Sequence, residues 1–223
     1  MQKLFKITVD CLVFAYDNRT NELKLLLIKR NNEPCKGQWA LPGGFVKRTE
    51  EFVDTALRKL GEETGAKNIF LEQLNGYGLT DPSPQNRIVS IAFYALIKLD
   101  DFAPSDTNNH QYKWAHIKSI PALPFDHTRK VNDAIQRIKE RAHVKPVVFN
   151  LLPGKFSLNQ LQNIYEEIFD LSLDNRNFRR KAKSLEYLEP LDEFENNVSR
   201  RPGRLYTFNE SKFKEVTDNL FIL

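Results

Sequence analysis

Gly43 and Gly44 lead into a stretch, ending at Ala66, that constrains the fold more than any other, because it has the spacing of one amphipathic helix. Its apolar positions recur at helical spacing and predict one buried face: Val53, Ala56, Leu57 and Leu60. Thr49 is expected to cap the start of this helix, and Gly65 is expected to end it in the left-handed conformation that glycine adopts readily.

The charged residues of this stretch that lie away from the apolar face include Glu50, Arg58, Glu62 and Glu63. Carboxylates from both ends of the helix could therefore converge on a divalent cation held by oxygen ligands. The paired glycines have a predicted role of their own, because glycine readily takes positive φ and lets the backbone approach a phosphate closely.

This arrangement resembles the Nudix box, whose pattern is G-x5-E-x7-R-E-U-x-E-E-x-G-U, with U an aliphatic residue. The matching residues are Gly44, Glu50, Arg58, Leu60, Glu62, Glu63 and Gly65, with Ala66 as a small residue in the last position. The resemblance implies that Glu62 and Glu63 bind Mg2+. It also implies that Arg58, Glu62 and Glu63 would be the catalytic residues if the domain were an active enzyme.

One position departs from the Nudix pattern, because Lys59 stands where a glutamate is expected. In the family that glutamate commonly binds metal or activates water, and a protonated lysine can do neither. Lys59 is close enough along a helix to pair with Glu62 and Glu63, so its ammonium could take the electrostatic place of a cation. We therefore expect a binding scaffold with impaired hydrolysis. A second interpretation stays open, in which Lys59 is a solvated surface residue and another carboxylate supplies the base.

The composition is that of a globular protein, with 41% hydrophobic and 28% charged residues in a chain of 223, which is long enough for two domains. No apolar run approaches the roughly 20 residues that span a bilayer, and the start lacks a signal-peptide pattern, so a cytoplasmic location without membrane contact is expected. Cys11 and Cys35 match neither a metal pattern nor a disulfide framework. The net charge of +4 permits nucleic-acid binding without requiring it.

Residues 1–144 are predicted to form an effector-binding domain with the α/β/α sandwich of the Nudix type. Apolar runs predict strands over 6–16, 23–30, 68–77, 87–99 and 112–120, and a later helix over 126–141. The resemblance implies that the loop over 81–86 closes over a ligand.

Three side chains outside the box are candidate effector contacts, each with a plainer alternative. Arg30 ends the second strand, where Nudix domains often carry a basic residue that meets a phosphate, and it could equally be solvated. Trp39 and His127 are more often packing residues than ligand contacts. The full candidate effector set is Arg30, Trp39, Gly43, Gly44, Glu50, Arg58 and His127.

Residues 145–223 are predicted to form a winged helix-turn-helix domain. Ser157 and Gln160 form a capping box before a helix over 158–169, and Asp174 can cap a second helix. The second helix has an apolar stripe of Phe178, Ala182 and Leu185. Strands are expected over 187–191 and 204–208, with a polar loop over 192–199.

Basic residues cluster on the second helix and at the mouth of the last strand, which is the plan of a helix that enters the major groove beside a wing. We predict that bases are read by Arg176, Asn177 and Arg180. We predict that phosphates are contacted by Arg179, Lys181, Lys183, Arg200, Arg201 and Arg204. The alternative is a solvated helix face, since charge runs usually are solvated and this domain is nearly neutral overall.

Residues 174–181 and 201–206 are similar to the signature of Nudix-related transcriptional regulators, the NrtR and AraR families. This resemblance implies a homodimeric repressor that binds a palindromic double-stranded DNA operator and is released by a small-molecule effector. The effector would be ADP-ribose in one branch and a sugar such as L-arabinose in the other. The competing function is an active Nudix hydrolase of the ADP-ribose pyrophosphatase type, with Mg2+ held by Glu62 and Glu63.

Overall fold

The computed structural model describes residues 5–66, 69–80, 87–102, 111–196 and 202–215. By its internal contacts the chain divides into two compact units, Met1–Ala15 with Lys24–Arg137, and Tyr16–Leu23 with Ile138–Leu223. The division falls inside the helix His127–Val144. None of the helices in the described ranges is long and apolar enough to cross a membrane.

The first unit is built on a seven-stranded sheet. Its strands are β1 (Phe5–Asp17), β2 (Glu22–Lys29), β3 (Trp39–Ala40), β4 (Gly43–Phe45), β5 (Glu72–Thr80), β6 (Arg87–Lys98) and β7 (Tyr112–His116). They are ordered β3-β2-β1-β6-β5, with β4 paired to β1 and β7 paired to β2. The long strands agree with the apolar pattern, whereas β3 and β4 are too short to show an alternation.

Two predicted strands differ from the structure at their ends. β5 begins at Glu72, because residues 69–71 have no strand pairing, and residue 68 lies outside the described ranges. β7 ends at His116, because Ile117–Ser119 forms a short 3-10 helix. The expected ligand loop over 81–86 also lies outside the described residues.

Helices α1 (Phe52–Thr64) and α2 (His127–Val144) cover opposite faces of this sheet. Neighbouring residues of a strand point to opposite faces. Cys11 of β1 donates its thiol hydrogen to the carbonyl of Ala56 in α1 (3.7 Å), whereas Asp10 binds Lys130 of α2. The first unit is therefore an α/β/α sandwich, as the sequence predicts.

The buried face of α1 is rotated from the predicted one. Ala56 and Leu60 are buried as expected, but the prediction for Val53 and Leu57 is wrong, because these side chains are 38% and 37% exposed. The residues that share the buried side with Ala56 and Leu60 are Thr55 and Thr64. Both threonine hydroxyls donate hydrogen bonds, so their burial leaves no donor unpaired.

The start of α1 also differs from its prediction, because Thr49 does not cap it. The N-cap residue is Glu51, without a side-chain capping bond, since the preceding segment forms a turn in which the Glu50 N–H donates to the carbonyl of Lys47 (3.1 Å). Gly65 ends the helix in the left-handed conformation with φ 74°, as predicted.

A buried ionic network connects β1 and β6 to the start of α2. Lys130 Nζ lies 2.6 Å from Asp10 Oδ2 and 2.7 Å from Asp126 Oδ1, and its side chain is 1% exposed. Ser90 donates to the same oxygen of Asp10, and His127 Nε2 lies 3.5 Å from the other. Burial alone would raise the pKa of Asp10, but His127 and Lys130 hold that pKa below its usual value.

The second unit is a helix-turn-helix followed by a small sheet. Its elements are β8 (Phe156–Ser157), α3 (Leu158–Phe169), α4 (Asn175–Lys183), β9 (Leu188–Phe194), β10 (Arg204–Phe208) and α5 (Glu210–Glu215). The sheet order is β8-β10-β9. β9 runs through part of the predicted polar loop because it pairs with β10 as far as Phe194, and residues 197–201 lie outside the described ranges.

Both helix starts in the second unit are capped as predicted. The Ser157 side chain accepts from the Gln160 N–H (3.3 Å), and the Gln160 side chain accepts from the Ser157 N–H (2.9 Å). Asp174 accepts from the Asn177 N–H (2.8 Å). These caps fix where α3 and α4 begin, and hence which residues each helix exposes.

The core of the second unit is largely aromatic. Phe149 stacks on Phe208 of β10, with ring centroids 4.4 Å apart and planes 6° apart. Tyr187 contacts Phe208 and Phe213 edge-on at 5.9 and 5.1 Å. The segment before α3, the sheet and α5 are thus held together by one cluster of rings.

Lys130→Met is expected to lower the free energy of unfolding of the first unit by about 3 kcal/mol, because it leaves Asp10 buried without its ammonium partner. Trp39 and Trp114 both lie in this unit, so intrinsic fluorescence in a urea titration reports on it selectively. Arg129→Met is the matched control, since that side chain is 75% exposed. Equal midpoints for the two variants would contradict the role of the buried pair.

Candidate functional site

Arg58 joins the two ends of the Nudix-like stretch. Its Nε and one terminal nitrogen each lie 2.8 Å from an oxygen of Glu50, and its other terminal nitrogen donates to Glu62 Oε1 at 3.0 Å. The hydrogen bonds from Arg58 lower the pKa of Glu50 to about 2. The carboxylates at the two ends of the stretch are therefore brought together, as predicted, but around a guanidinium.

Lys59 completes this row of charges. Its Nζ lies 2.8 Å from Glu62 Oε2, so both oxygens of Glu62 are paired with cations. The predicted pairing with Glu62 is therefore present. The Glu63 side chain instead accepts a hydrogen bond from the Gly43 N–H at 3.0 Å.

Glu63 is the less solvated of the two adjacent carboxylates. Its burial raises its pKa to about 7, against the opposing effect of the Gly43 N–H bond. Nearby charge also acts on it, since Lys59 and Arg30 lower this pKa and Glu62 raises it.

The donor set fits a divalent cation poorly. Among the residues that the structure describes, no three side chains of His, Cys, Asp or Glu are grouped to hold a metal ion. Glu62 already neutralises Arg58 and Lys59, and the Lys59 ammonium lies where a cation beside Glu62 would be repelled. Glu62 and Glu63, predicted as the metal pair, are instead bound by the Arg58 and Lys59 cations and by the Gly43 N–H, respectively.

The structure shows a steric reason for glycine at positions 43 and 44. Neither residue has positive φ, so that part of the prediction is wrong, and both lie in β4. A Cβ on Gly43 would meet the carbonyl oxygen of Val9 at 2.2 Å, and one on Gly44 would meet Lys59 Cε at 2.6 Å. The glycines let β4 pass close to β1 and let the Lys59 side chain cross it.

His127 belongs to the buried network of the first unit. Its Nδ1 accepts from the Leu41 N–H at 3.2 Å, and its side chain is 5% exposed. The plainer interpretation of His127 as a structural residue is the one that this geometry favours.

Arg30 and Trp39 lie on either side of the loop over 31–38, and each is in a cation–π contact. Arg30 donates from Nε to the carbonyl of Pro34 (2.9 Å), and its guanidinium carbon lies 5.1 Å from the ring centre of Phe125. Lys113 Nζ lies 4.4 Å from the ring centre of Trp39. Sequence reasoning did not single out Phe125, although an aromatic residue between a proline-rich break and a helix start was the available signal.

Helix α4 exposes a cationic face. Phe178 and Ala182 are buried, and the exposed residues include Arg176, Asn177, Arg179, Arg180 and Lys183, with Lys181 half-buried. Arg179 donates to the Asn159 side chain (2.7 Å) and Arg180 to the Asn177 side chain (3.1 Å). Within the described part of the chain, Arg176 and Lys183 have no such partner.

The predicted wing cations are only partly described. Arg204 donates to the Leu191 carbonyl (2.6 Å) and pairs with Asp192 (2.5 Å), so an acid on the neighbouring strand balances its charge. Arg200 and Arg201 lie outside the described residues.

Comparison with known proteins matches both halves of the chain. The NUDIX domain model matches residues 4–136, and the model of the NrtR DNA-binding winged helix domain matches residues 148–208. The chain is 32% identical over 206 residues to the ADPR responsive transcriptional repressor NtrR of Acinetobacter baylyi, which covers 91% of this chain and 81% of that protein.

Two solved structures from Shewanella oneidensis are also similar. One is NrtR complexed with a 27mer DNA, which is 28% identical with a TM-score of 0.75 and covers 93% of this chain and 95% of that one. The other is the NUDIX domain of NrtR complexed with ADP ribose, which is 31% identical with a TM-score of 0.51 and covers 61% and 90%.

Gly43→Ala is expected to destabilise the first unit by about 1–3 kcal/mol, because its methyl group would overlap a backbone carbonyl that cannot rotate away. Tryptophan fluorescence during urea unfolding is the measurement. Gly78→Ala is the control in the same sheet, since a Cβ there meets nothing nearer than 3.7 Å. If the two variants unfold at one urea concentration, the close passage of β4 over β1 is not required.

Proposed function

The chain belongs to the NrtR family of transcriptional regulators with a Nudix domain and a DNA-binding winged helix, and from this premise we propose that its Nudix domain senses ADP-ribose. The chain is a DNA-binding regulator, and we propose that it acts as a cytoplasmic repressor that the effector releases from its operator. The observation that carries the proposal is the exposed cationic face of α4, joined in one chain to a Nudix box whose carboxylates are paired with Arg58 and Lys59.

Helix α4 has the side chains that major-groove recognition requires. Arginine can bind guanine through two donors, and asparagine can bind adenine in the same way. Arg176, Asn177 and Arg180 are our proposed base contacts. The proposed phosphate contacts are Arg179, Lys181, Lys183, Arg200, Arg201 and Arg204.

We propose that the operator is a palindrome bound by a homodimer. A winged helix reads only a few base pairs, and two copies reach half-sites that lie about 34 Å apart, one helical turn of DNA. An effector can release such a dimer only if it binds the DNA-free arrangement more tightly than the DNA-bound one.

ADP-ribose is the proposed effector because the Shewanella NUDIX domain in complex with ADP ribose is 31% identical to this chain. The candidates predicted from the sequence are Arg30, Trp39, Gly43, Gly44, Glu50, Arg58 and His127, but His127 is buried in the ionic network and is not proposed as a direct contact. Arg58 and Glu50 act on the ligand indirectly, since they bind each other. A free sugar such as L-arabinose is the alternative effector.

We propose that the Nudix domain has lost most of its hydrolytic activity. Nudix domains normally use a divalent metal, and Mg2+ would here require Glu62 to leave Arg58 and Lys59. The competing function, an ADP-ribose pyrophosphatase, needs that rearrangement and needs a base that position 59 does not supply.

Arg176→Ala and Arg180→Ala are each expected to weaken operator binding by about 5- to 150-fold, the range for one lost base contact of about 1–3 kcal/mol. Binding to DNA of unrelated sequence should fall much less. An electrophoretic mobility shift titration with promoter duplexes measures both. Arg48→Ala, an exposed arginine of the other unit, is the control. If both α4 variants bind the operator as tightly as the native chain, α4 is not part of the DNA interface.

Lys59→Glu is expected to create ADP-ribose hydrolysis in the presence of Mg2+, because it restores the missing carboxylate and frees Glu62 from one cation. The native chain should turn over far more slowly than about 1 per second. Lys59→Gln separates the two effects, since it removes the charge without adding a carboxylate. Rapid turnover by the native protein would favour the pyrophosphatase instead.

A further inference from the structure

Phe125 combines two unfavourable features in one residue. Its φ is 58°, in the left-handed region that bulky side chains rarely occupy, and its side chain is 49% exposed to water. The neighbouring residues explain how the backbone of Phe125 is held in this conformation, but they do not explain why the side chain is aromatic. Pro124 and His127 are buried, and the His127 N–H donates to the Pro124 carbonyl at 3.3 Å. Strain of this kind concentrates at ligand sites.

The ring of Phe125 is held between two polar groups. The Arg30 guanidinium carbon lies 5.1 Å from the ring centre, and the His127 ring meets it edge-on at 5.4 Å. Arg30 is itself fixed by its bond to the Pro34 carbonyl. The aromatic ring and the guanidinium therefore form a preorganised pair.

This pair lies at the Nudix box. His127 binds the Leu41 N–H, two residues before Gly43, and Gly43 in turn binds Glu63. Arg30 is near enough to Glu63 for its charge to act on that carboxyl. An aromatic ring and a cation are thus connected to the glycine strand through His127 and Leu41.

We propose that Phe125 stacks against the purine base of a nucleotide effector while Arg30 binds its adjacent phosphate. This inference rests on the proposed function and specifies how the same site recognises its ligand. Stacking uses the exposed face of the ring, and guanidinium groups bind phosphate through two parallel hydrogen bonds. A free sugar has neither a flat ring nor a negative charge, so the pair selects a nucleoside diphosphate derivative over L-arabinose.

The test is calorimetric titration of the full chain with ADP-ribose and with ribose 5-phosphate, which lacks the base. Phe125→Leu keeps an apolar side chain of similar size but removes the aromatic face. It should weaken ADP-ribose binding about tenfold or more and leave ribose 5-phosphate binding within about twofold. Phe125→Trp should retain ADP-ribose binding. Arg30→Gln should weaken both ligands, because both carry the phosphate.

Operator release gives an independent readout. Phe125→Leu should bind the operator like the native chain without effector and should need about tenfold more ADP-ribose to leave it. Melting followed by tryptophan fluorescence checks that the variant is folded. If Phe125→Leu and the native chain bind ADP-ribose with equal affinity, the stacking role alone is overturned. The same holds if the variant loses affinity equally for ADP-ribose and for ribose 5-phosphate. A native chain that does not bind ADP-ribose overturns the proposed function and this inference together.

Discussion

The row of alternating charges formed by Glu50, Arg58, Glu62 and Lys59 is the interaction on which the arrangement of the Nudix box depends. In an active Nudix site, carboxylates gathered at one point are kept together by metal. Here the cations of Arg58 and Lys59 hold the carboxylates together, and both are side chains of the protein itself. The segment before α1 is consequently held to the helix by ion pairs between side chains of the protein itself.

Much of this fold follows from the sequence, and the exceptions have physical reasons. The long strands and the capped helices were predictable because apolar alternation and side-chain caps are local signals. The rotation of the buried face of α1 was not predictable, because Thr55 and Thr64 are polar and only their local hydrogen bonds make their burial acceptable. The need for Gly43 comes from Val9, far away in the chain, and no local pattern reveals that contact.

The candidate sites also contain some features that the sequence reveals and others that it does not. The cationic face of α4 was visible because its spacing is helical and its buried residues alternate with arginines. By contrast, the neutralisation of Arg204 by Asp192 depends on strand register, and the exposed ring of Phe125 depends on a backbone conformation that composition does not encode. The nearly neutral total charge of the second domain does not reveal this clustering of basic residues on α4.

The aromatic cluster of the second unit has a practical consequence for dissecting the protein. Phe149 stands before α3 and Phe213 stands in α5, yet both belong to the same set of packed rings. A recombinant fragment trimmed to 148–208, the limits of the matched winged helix model, would cut away Phe213 and expose the faces of Tyr187 and Phe208 that it covers. Expression of the isolated DNA reader should therefore begin upstream of Pro146 and extend through Glu215.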